Sequence, residues 1–281
     1  MPIVDTHVHL FDPARVPYHA DATYQPKPVP LEPYAKFAVT AKLTHTVIVL
    51  PEPYQDDHRY LEYCFQHEPS RGFFRGTCLF DPIAPDTPRR MQELVTKHPD
   101  RIIALRIHAM QPLSKEPTTS GPIKDRDLRH PKMLETWEAA HFLGLAVQMH
   151  FFPAQAGRIY ELAKKFPQVT VILDHLGRPG QGTAEENELV LKLAGLPNTI
   201  MKVSGLNYAS KQPSPHADLA PLIRKYVNAF GAERMIWGGL GMNATEFAEQ
   251  SKAFESLLSF TPAKDRDQIR GGNAMRLFIK L

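Results

Sequence analysis

The chain has 281 residues, 43% of them hydrophobic, which is enough for one large α/β domain with a sizeable core. Its 33 basic and 30 acidic residues leave a formal charge of +3, too small to indicate a nucleic-acid-binding surface. Two cysteines exclude a disulfide framework, and the sequence shows neither a signal-like leader nor a membrane-length apolar run, so we expect a cytoplasmic protein with no membrane partner.

Eight short apolar runs are predicted to be buried strands, because most of them lack polar alternation. In chain order they are PIVDTHVH, HTVIVL, FFRGTCLF, RIIALRIH, LAVQMHF, TVILDHL, TIMKVSG and RMIWGG. Segments with helical spacing of apolar residues lie between them: DDHRYLEYCFQHE, PDTPRRMQELVTKHP, KMLETWEAAHFLG, AQAGRIYELAKKFP and EFAEQSKAFESLLS. A strand followed by a helix, eight times, predicts a (β/α)8 TIM barrel that fills residues 1–281 as a single domain.

Three long connections each follow a predicted strand, at residues 12–33, 110–131 and 206–217. In a TIM barrel such loops lie on the C-terminal face, where active sites are built. The alternative is that they are tolerated insertions without a role.

Four histidines occupy strand ends and are candidate catalytic groups. His7 and His9 in DTHVH are two residues apart, so strand alternation places both imidazoles on one face, where they can hold a divalent metal or bind an oxyanion. His150 ends LAVQMH and His175 ends TVILDH. Solvated or core histidines are the structural alternative.

Three cations at similar positions are candidate substrate-binding groups: Arg106, Lys202 and Arg178. A buried positive charge is costly unless it meets an anion, and a guanidinium can bind a carboxylate through two hydrogen bonds. The alternative for the arginines is an internal salt bridge with Asp5 or Asp174. Lys202 could equally be a structural hydrogen-bond donor.

The segments VDTHVHLFDP, VILDHLGRP, IMKVSGL and IRGGNAMRLF resemble the amidohydrolase-2 branch of the amidohydrolase superfamily. That branch comprises TIM-barrel hydrolases, pyrone-dicarboxylate and sugar lactonases among them, together with galactarolactone isomerases. The resemblance implies that the four histidines are catalytic, and that His7, His9 and His150 would ligate one zinc or manganese ion if a metal is bound. Lactonases of this branch often dispense with the metal, and we favour a metal-free site here.

The chain departs from the family at the end of the eighth predicted strand. Relatives have a phrase like GSDWP there, whose Asp ligates metal and activates water, whereas this chain has WGGLGM with Leu240 at the matching position. The base is then expected to be His175 or a loop residue: Asp12, His19 or Asp218. Losing the acid also makes the mouth more positive, which favours a small anionic substrate.

These features predict a hydrolase of a small, carboxylated lactone or related cyclic ester. Two alternatives remain open: a lactone isomerase of the same family, and a degenerate barrel that binds an anion without turnover. The sequence is compatible with a homo-oligomer.

Overall fold

Parallel strands form one eight-stranded sheet in the computed structural model, which describes residues 1–279. The strands are β1 Val4–Val8, β2 His45–Val49, β3 Phe74–Leu79, β4 Ile102–Ala109, β5 Ala146–Phe151, β6 Val171–Leu173, β7 Thr199–Val203 and β8 Met235–Trp237. They neighbour one another in chain order, and each overlaps one predicted apolar run, with ends that differ by at most three residues. The predicted (β/α)8 barrel is therefore confirmed.

Helices lie between the strands and after the last one. They are α1 Leu31–Thr40, α2 Arg59–Gln66, α3 Thr87–Lys97, α4 Pro131–Phe142, α5 Ala156–Lys165, α6 Ala184–Lys192, α7 Ala220–Phe230, α8 Ala244–Leu257, α9 Ala263–Asp267 and α10 Asn273–Phe278. The five predicted helical segments match α2, α3, α4, α5 and α8 to within a few residues at each end. None of the helices described is long and apolar enough to cross a membrane.

Side chains of β1 bond to the backbone across the seam between β8 and β1. The Thr6 hydroxyl donates to the carbonyl of Trp237 at 2.6 Å, and Asp5 Oδ1 accepts from the backbone N–H groups of His7 and Gly239, both at 2.9 Å. Burial raises the pKa of Asp5 to about 7, although both backbone donors oppose that shift. Asp5 therefore holds the barrel seam and is not the salt-bridge partner of an arginine.

Side chains that point to the same face of the strands form two layers, an apolar layer near α10 and a polar layer nearer the C-terminal mouth. Small and branched residues make the apolar layer against α10: Val4, Val47, Ala104, Ala146, Ile172, Ile200 and Ile236. The residues two positions further along four of these strands are Arg106, Gln148, Asp174 and Lys202, and all four are buried. Since side chains repeat every second residue, these four point the same way as the apolar layer and lie nearer the C-terminal mouth.

Candidate active site

The long loops fasten to the C-terminal ends of the strands, as the sequence predicts. The backbone N–H of Thr23, in the loop after β1, donates to Glu52 Oε1 at 3.1 Å just beyond β2. In the loop after β4, the N–H of Asp125 donates to the carbonyl of His108 at 3.1 Å. Segments from two βα connections therefore lie over the C-terminal end of the barrel. TIM-barrel enzymes have their active sites at this end.

Asp174 is the electrostatic centre of the mouth. Its carboxylate accepts from Gln148 Nε2 at 2.9 Å and lies 3.3 Å from Arg106 Nη2 and 3.1 Å from Lys202 Nζ. Burial by itself opposes ionisation, but the ammonium of Lys202, then His7 and Arg106, hold the pKa of Asp174 well below its usual range. Arg106 thus has the internal salt bridge given above as its alternative, with Asp174 as the partner. Lys202 shares Asp174 and also donates to the carbonyl of Thr6 at 3.1 Å, which is the structural role given as its alternative.

His7 and His9 meet through their ring nitrogens. Their Nε2 atoms are 3.2 Å apart, and His9 Nδ1 lies 2.8 Å from the carbonyl oxygen of Val49. A carbonyl only accepts, so His9 bears its proton on Nδ1 and keeps a lone pair on Nε2. Burial lowers the pKa of His9 to about 3 and that of His7 well below its ordinary value, so both rings are neutral. The two predicted strand-one histidines therefore do share one site.

His175 reaches the same site from the end of β6. Its ring centroid lies 4.6 Å from that of His7, and its Nδ1 is 2.9 Å from the hydroxyl of Ser204, which follows β7. Burial lowers the pKa of His175 well below its ordinary value, so the imidazole is a free base. His7, Asp174 and His175 bring one potential metal-ligating atom each to within 4.8 Å of one another.

A strained left-handed turn after β6 positions the side chains of His175 and Arg178. The φ angles of His175, Leu176, Gly177 and Arg178 are 54°, 57°, 69° and 53°, and three of these residues carry a Cβ that disfavours this region. The carbonyl of Leu176 accepts from the buried hydroxyl of Tyr226 at 2.8 Å, which helps to hold the turn. Consecutive strain of this kind persists only where the surrounding structure over-determines it, and it is typical of functional sites.

His150 lies between two partners. Its Nε2 is 3.0 Å from Arg178 Nη1, and its Nδ1 is 3.2 Å from Nδ1 of His108, its register partner on β4. The Arg178 guanidinium also stacks 4.1 Å above the Tyr208 ring, and within residues 1–279 it forms no ion pair. Of the three predicted cations, Arg178 is therefore the one that has no carboxylate partner among the described residues.

Histidine nitrogens at the barrel mouth are better placed to ligate a divalent metal than the Asp174 carboxylate is. His7 Nε2 and His9 Nε2 belong to neutral rings and face each other, and His175 adds a third imidazole beside them. Asp174 is less available, because Lys202 and Arg106 compete with a metal for its oxygens. The predicted ligand set of His7, His9 and His150 differs from this group in one member, because His150 Nε2 lies 3.0 Å from the Arg178 guanidinium, whose positive charge disfavours a metal ion there.

Residue 240, just beyond β8, is a leucine and brings no carboxylate to the mouth. Leu240 has a φ of 56°, and its backbone N–H donates to the carbonyl of His7 at 3.2 Å, so this residue lies directly beside the strand-one histidines. The three candidate bases from the loops have partners of their own. Asp12 pairs with Arg15, His19 with Asp21, and Asp218 accepts from Ser210 and Lys211.

Sequence reasoning missed four groups of the mouth: the buried His108, Gln148 and Ser204, and the exposed Tyr208. A local signal was present for the first three. His108 and Ser204 lie two residues beyond the predicted cations Arg106 and Lys202, and Gln148 lies two residues before the predicted His150. Strand alternation places such pairs on the same face, so each predicted residue pointed to its neighbour.

Comparison with known proteins places this site in a family. Residues 4–279 match the sequence model of the family described as amidohydrolase. The chain belongs to the amidohydrolase family. The predicted family resemblance is confirmed, and with it the expectation of an enzyme of the hydrolase class.

Two curated relatives are lactone hydrolases. The 4-sulfomuconolactone hydrolase of Hydrogenophaga intermedia is 26% identical over 287 residues, covering 98% of this chain and 88% of the relative. The L-fucono-1,5-lactonase of Burkholderia ambifaria is 26% identical over 249 residues, covering 84% and 78%.

Solved structures agree on the fold. A probable 2-pyrone-4,6-dicarboxylic acid hydrolase from Acinetobacter baumannii, with citric acid bound, has a TM-score of 0.79 and 19% identity, covering 99% of both chains. An amidohydrolase from Burkholderia multivorans with bound zinc has a TM-score of 0.75 and 16% identity, again over 99% of both chains. A zinc ion is thus bound by a relative of the same fold.

Proposed function

We propose that the protein hydrolyses a small lactone bearing a carboxylate or a similar anionic group. The observation that supports this most directly is the charge of the mouth. Arg106, Lys202 and Arg178 supply three positive charges, Asp174 supplies one negative charge, and the neighbouring histidines are neutral. Asp5, near Lys202, has a pKa of about 7 and is partly ionised at neutral pH, so the net charge of the group lies between +1 and +2. A buried excess of positive charge favours an anionic ligand.

Lactone hydrolysis requires a polarised carbonyl and an activated water. The buried guanidinium of Arg106 and the histidine N–H groups are suited to stabilise the negative charge that develops on the carbonyl oxygen. His175 is suited to be the base if its Nδ1–H donates to Ser204 Oγ, which leaves Nε2 free to take a proton from water. The water oxygen then bonds to the carbonyl carbon. As the ring C–O bond breaks, the same proton returns to the leaving oxygen and yields a hydroxy acid.

We further propose that this reaction does not depend on a tightly bound metal. Leu240 lies where the family resemblance implies an acid, and Asp174 is already paired with two cations. If a divalent ion is present, His7, His9 and His175 would hold it, and it would act as a Lewis acid toward the carbonyl oxygen.

A panel of lactones tests the proposal. Purified protein is assayed with 4-sulfomuconolactone, L-fucono-1,5-lactone and 2-pyrone-4,6-dicarboxylate, before and after chelation, with metal content measured on the same samples. We expect the two anionic lactones to be opened faster than the neutral sugar lactone, at rates that chelation leaves unchanged. Absence of turnover on all three would contradict the hydrolase proposal, and loss of activity on chelation would contradict its metal-free part.

Arg106→Ala tests the role of the mouth charge. Loss of a charge-assisted contact should weaken binding of an anionic lactone by about thirtyfold. Arg129→Ala, on the surface with a 66% exposed side chain, is the matched control. An unchanged KM for each anionic lactone would exclude Arg106 as a substrate contact.

Leu240 gives specific support to a second candidate, a lactone isomerase. Without an acid beside water, an internal hydroxyl could attack the carbonyl and yield a ring-shifted lactone. Chromatography of the same reaction mixtures separates the two outcomes, since an isomerase releases a lactone of unchanged mass and a hydrolase adds one water.

A further inference from the structure

His108 is a buried histidine at the mouth that the sequence analysis did not select. It lies on β4, two residues after Arg106, and is 9% exposed. Its Nδ1 contacts His150, but its Nε2 has no hydrogen-bond partner in the described chain. A buried polar atom without a partner is costly, and such atoms in native proteins call for an explanation.

The proton on His108 can be located from its neighbours. A guanidinium only donates, so Arg178 Nη1 donates to His150 Nε2 at 3.0 Å. Neutral His150 then carries its proton on Nδ1, and it donates this proton to His108 Nδ1 at 3.2 Å. Neutral His108 is left with its proton on Nε2. Because each ring accepts a hydrogen bond on one nitrogen, each is neutral with its single proton on the other nitrogen.

We propose that the Nε2–H of His108 donates a hydrogen bond to an oxygen of the anionic substrate, and that Arg178 fixes this tautomer through His150. The inference rests on the proposed function and adds a specificity-determining residue to it. Arg178 is in this respect a positioning residue, because its guanidinium sets the proton position two histidines away. The His150 ring is the link, which accounts for the engagement of both its nitrogens.

A second unpartnered donor lies on the same strand. Arg106 Nε is buried without a hydrogen-bond partner, and Arg106 and His108 share one face of β4 by alternation. Both residues border a narrow space beside Ile123 and Lys124, in the loop after β4, which is too small in this structure to hold a water molecule. Two N–H donors on one face of β4 fit a carboxylate or a lactone oxygen, and they would exclude a ligand that presents only donors there.

The tautomer is tested first, without any ligand. Nitrogen-15 NMR of histidine-labelled protein distinguishes a protonated from an unprotonated Nε2, with the His108 signals assigned from their loss in His108→Gln. We expect His108 to be protonated on Nε2 in the wild type. Arg178→Met removes the fixed donor and should shift the His108 signals toward a mixture of tautomers, whereas Arg129→Met on the surface should not. A wild-type His108 protonated on Nδ1, or an Arg178→Met spectrum unchanged at His108, overturns the relay.

The donor role is tested with citrate as the probe anion, by calorimetry, and with the KM for the anionic lactones. His108→Met fills the site without an N–H and should weaken citrate binding and raise KM by about tenfold or more. His108→Gln restores an N–H near the same place and should recover most of the loss, and His141→Met on α4 is the surface control. Unchanged citrate affinity and KM in His108→Met overturn the donor role, as does a wild type that binds neither citrate nor a lactone.

The two tests separate the inference from the proposed function. A protein with the Nε2–H tautomer that binds citrate but opens no lactone would retain the His108 donor and lose the hydrolase proposal. A protein that opens lactones equally well with methionine at position 108 would retain the hydrolase and lose the donor.

Discussion

The carboxylate of Asp174 lies 3.1 Å from the ammonium of Lys202, and the two side chains are 0% and 1% exposed. Arg106 approaches the other carboxylate oxygen at 3.3 Å, so one anion serves two buried cations. The arrangement explains how two positive side chains persist at the mouth of an otherwise apolar barrel. It also leaves residual positive charge that a substrate carboxylate can neutralise.

Asp174→Asn should be strongly destabilising. The amide keeps the shape of the side chain but removes its charge, which leaves Arg106 and Lys202 buried without an anion. Breaking a buried pair of this kind costs about 3–5 kcal/mol of unfolding free energy, measured by urea denaturation. Glu188→Gln is the control, because its pair with Lys225 is exposed and should contribute about 1 kcal/mol or less. Equal effects of the two changes would refute the role given to Asp174.

Gly177→Ala should cost more than the same change at Gly144. Both glycines have positive φ, 69° and 67°, so alanine is strained at each by about 1–2 kcal/mol. Only at Gly177 would the new Cβ meet a neighbour, Val190 Cγ1 at 2.5 Å, which adds about 1–3 kcal/mol of overpacking. Urea denaturation of both variants measures the difference. The Gly177 variant should also lose activity, because this turn aims His175.

His58 should make stability fall as the pH is lowered. Burial lowers the pKa of His58 to about 4 from its ordinary 6.5, so the folded state favours the neutral ring. Its contribution is fully present above pH 6.5 and is lost as the pH falls toward 4, at about 1.4 kcal/mol per pH unit. Between about pH 7.5 and pH 5.5, the stability gap between wild type and His58→Gln should therefore narrow by about 1.4 kcal/mol. The same substitution at exposed His67 is the control, and parallel pH curves for wild type and His58→Gln would contradict the prediction.

Leu240→Asp should raise metal content above that of the parent. The new carboxylate adds a hard ligand beside His7, whose carbonyl already accepts from the N–H of residue 240. A φ of 56° also suits aspartate better than leucine, so the fold should tolerate the change. Metal is measured by elemental analysis after growth with added zinc or manganese. Leu240→Asn is the matched control, with the same backbone preference but no charge; if it binds as much metal as the Asp variant, the carboxylate is not the missing part.

The eight strands could be predicted from the sequence because a strand that is buried on both faces is apolar along its length. A strand such as Val171–Leu173 is continuously apolar whatever lies beside it, and turn-rich loops punctuate the chain between such runs. The histidines at strand ends and the leucine at position 240 could be identified for the same reason. Each is a property of one short segment, so the fold, the end of the barrel that holds the site and the family required no knowledge of contacts.

Only the tertiary structure decided how those groups are paired. Arg106 and Asp174 are 68 residues apart in the chain, and the sequence offered Asp5 as an equal partner until the fold placed Asp5 in the β1–β8 seam. The left-handed turn at His175 and the donor position of His108 were equally hidden from the sequence. A hydrogen-bond partner or a tautomer depends on which neighbour competes for the same proton, and those neighbours come from other strands. Side-chain burial is recorded locally in a sequence, whereas proton positions and ion pairs are set by distances that exist only once the barrel has closed.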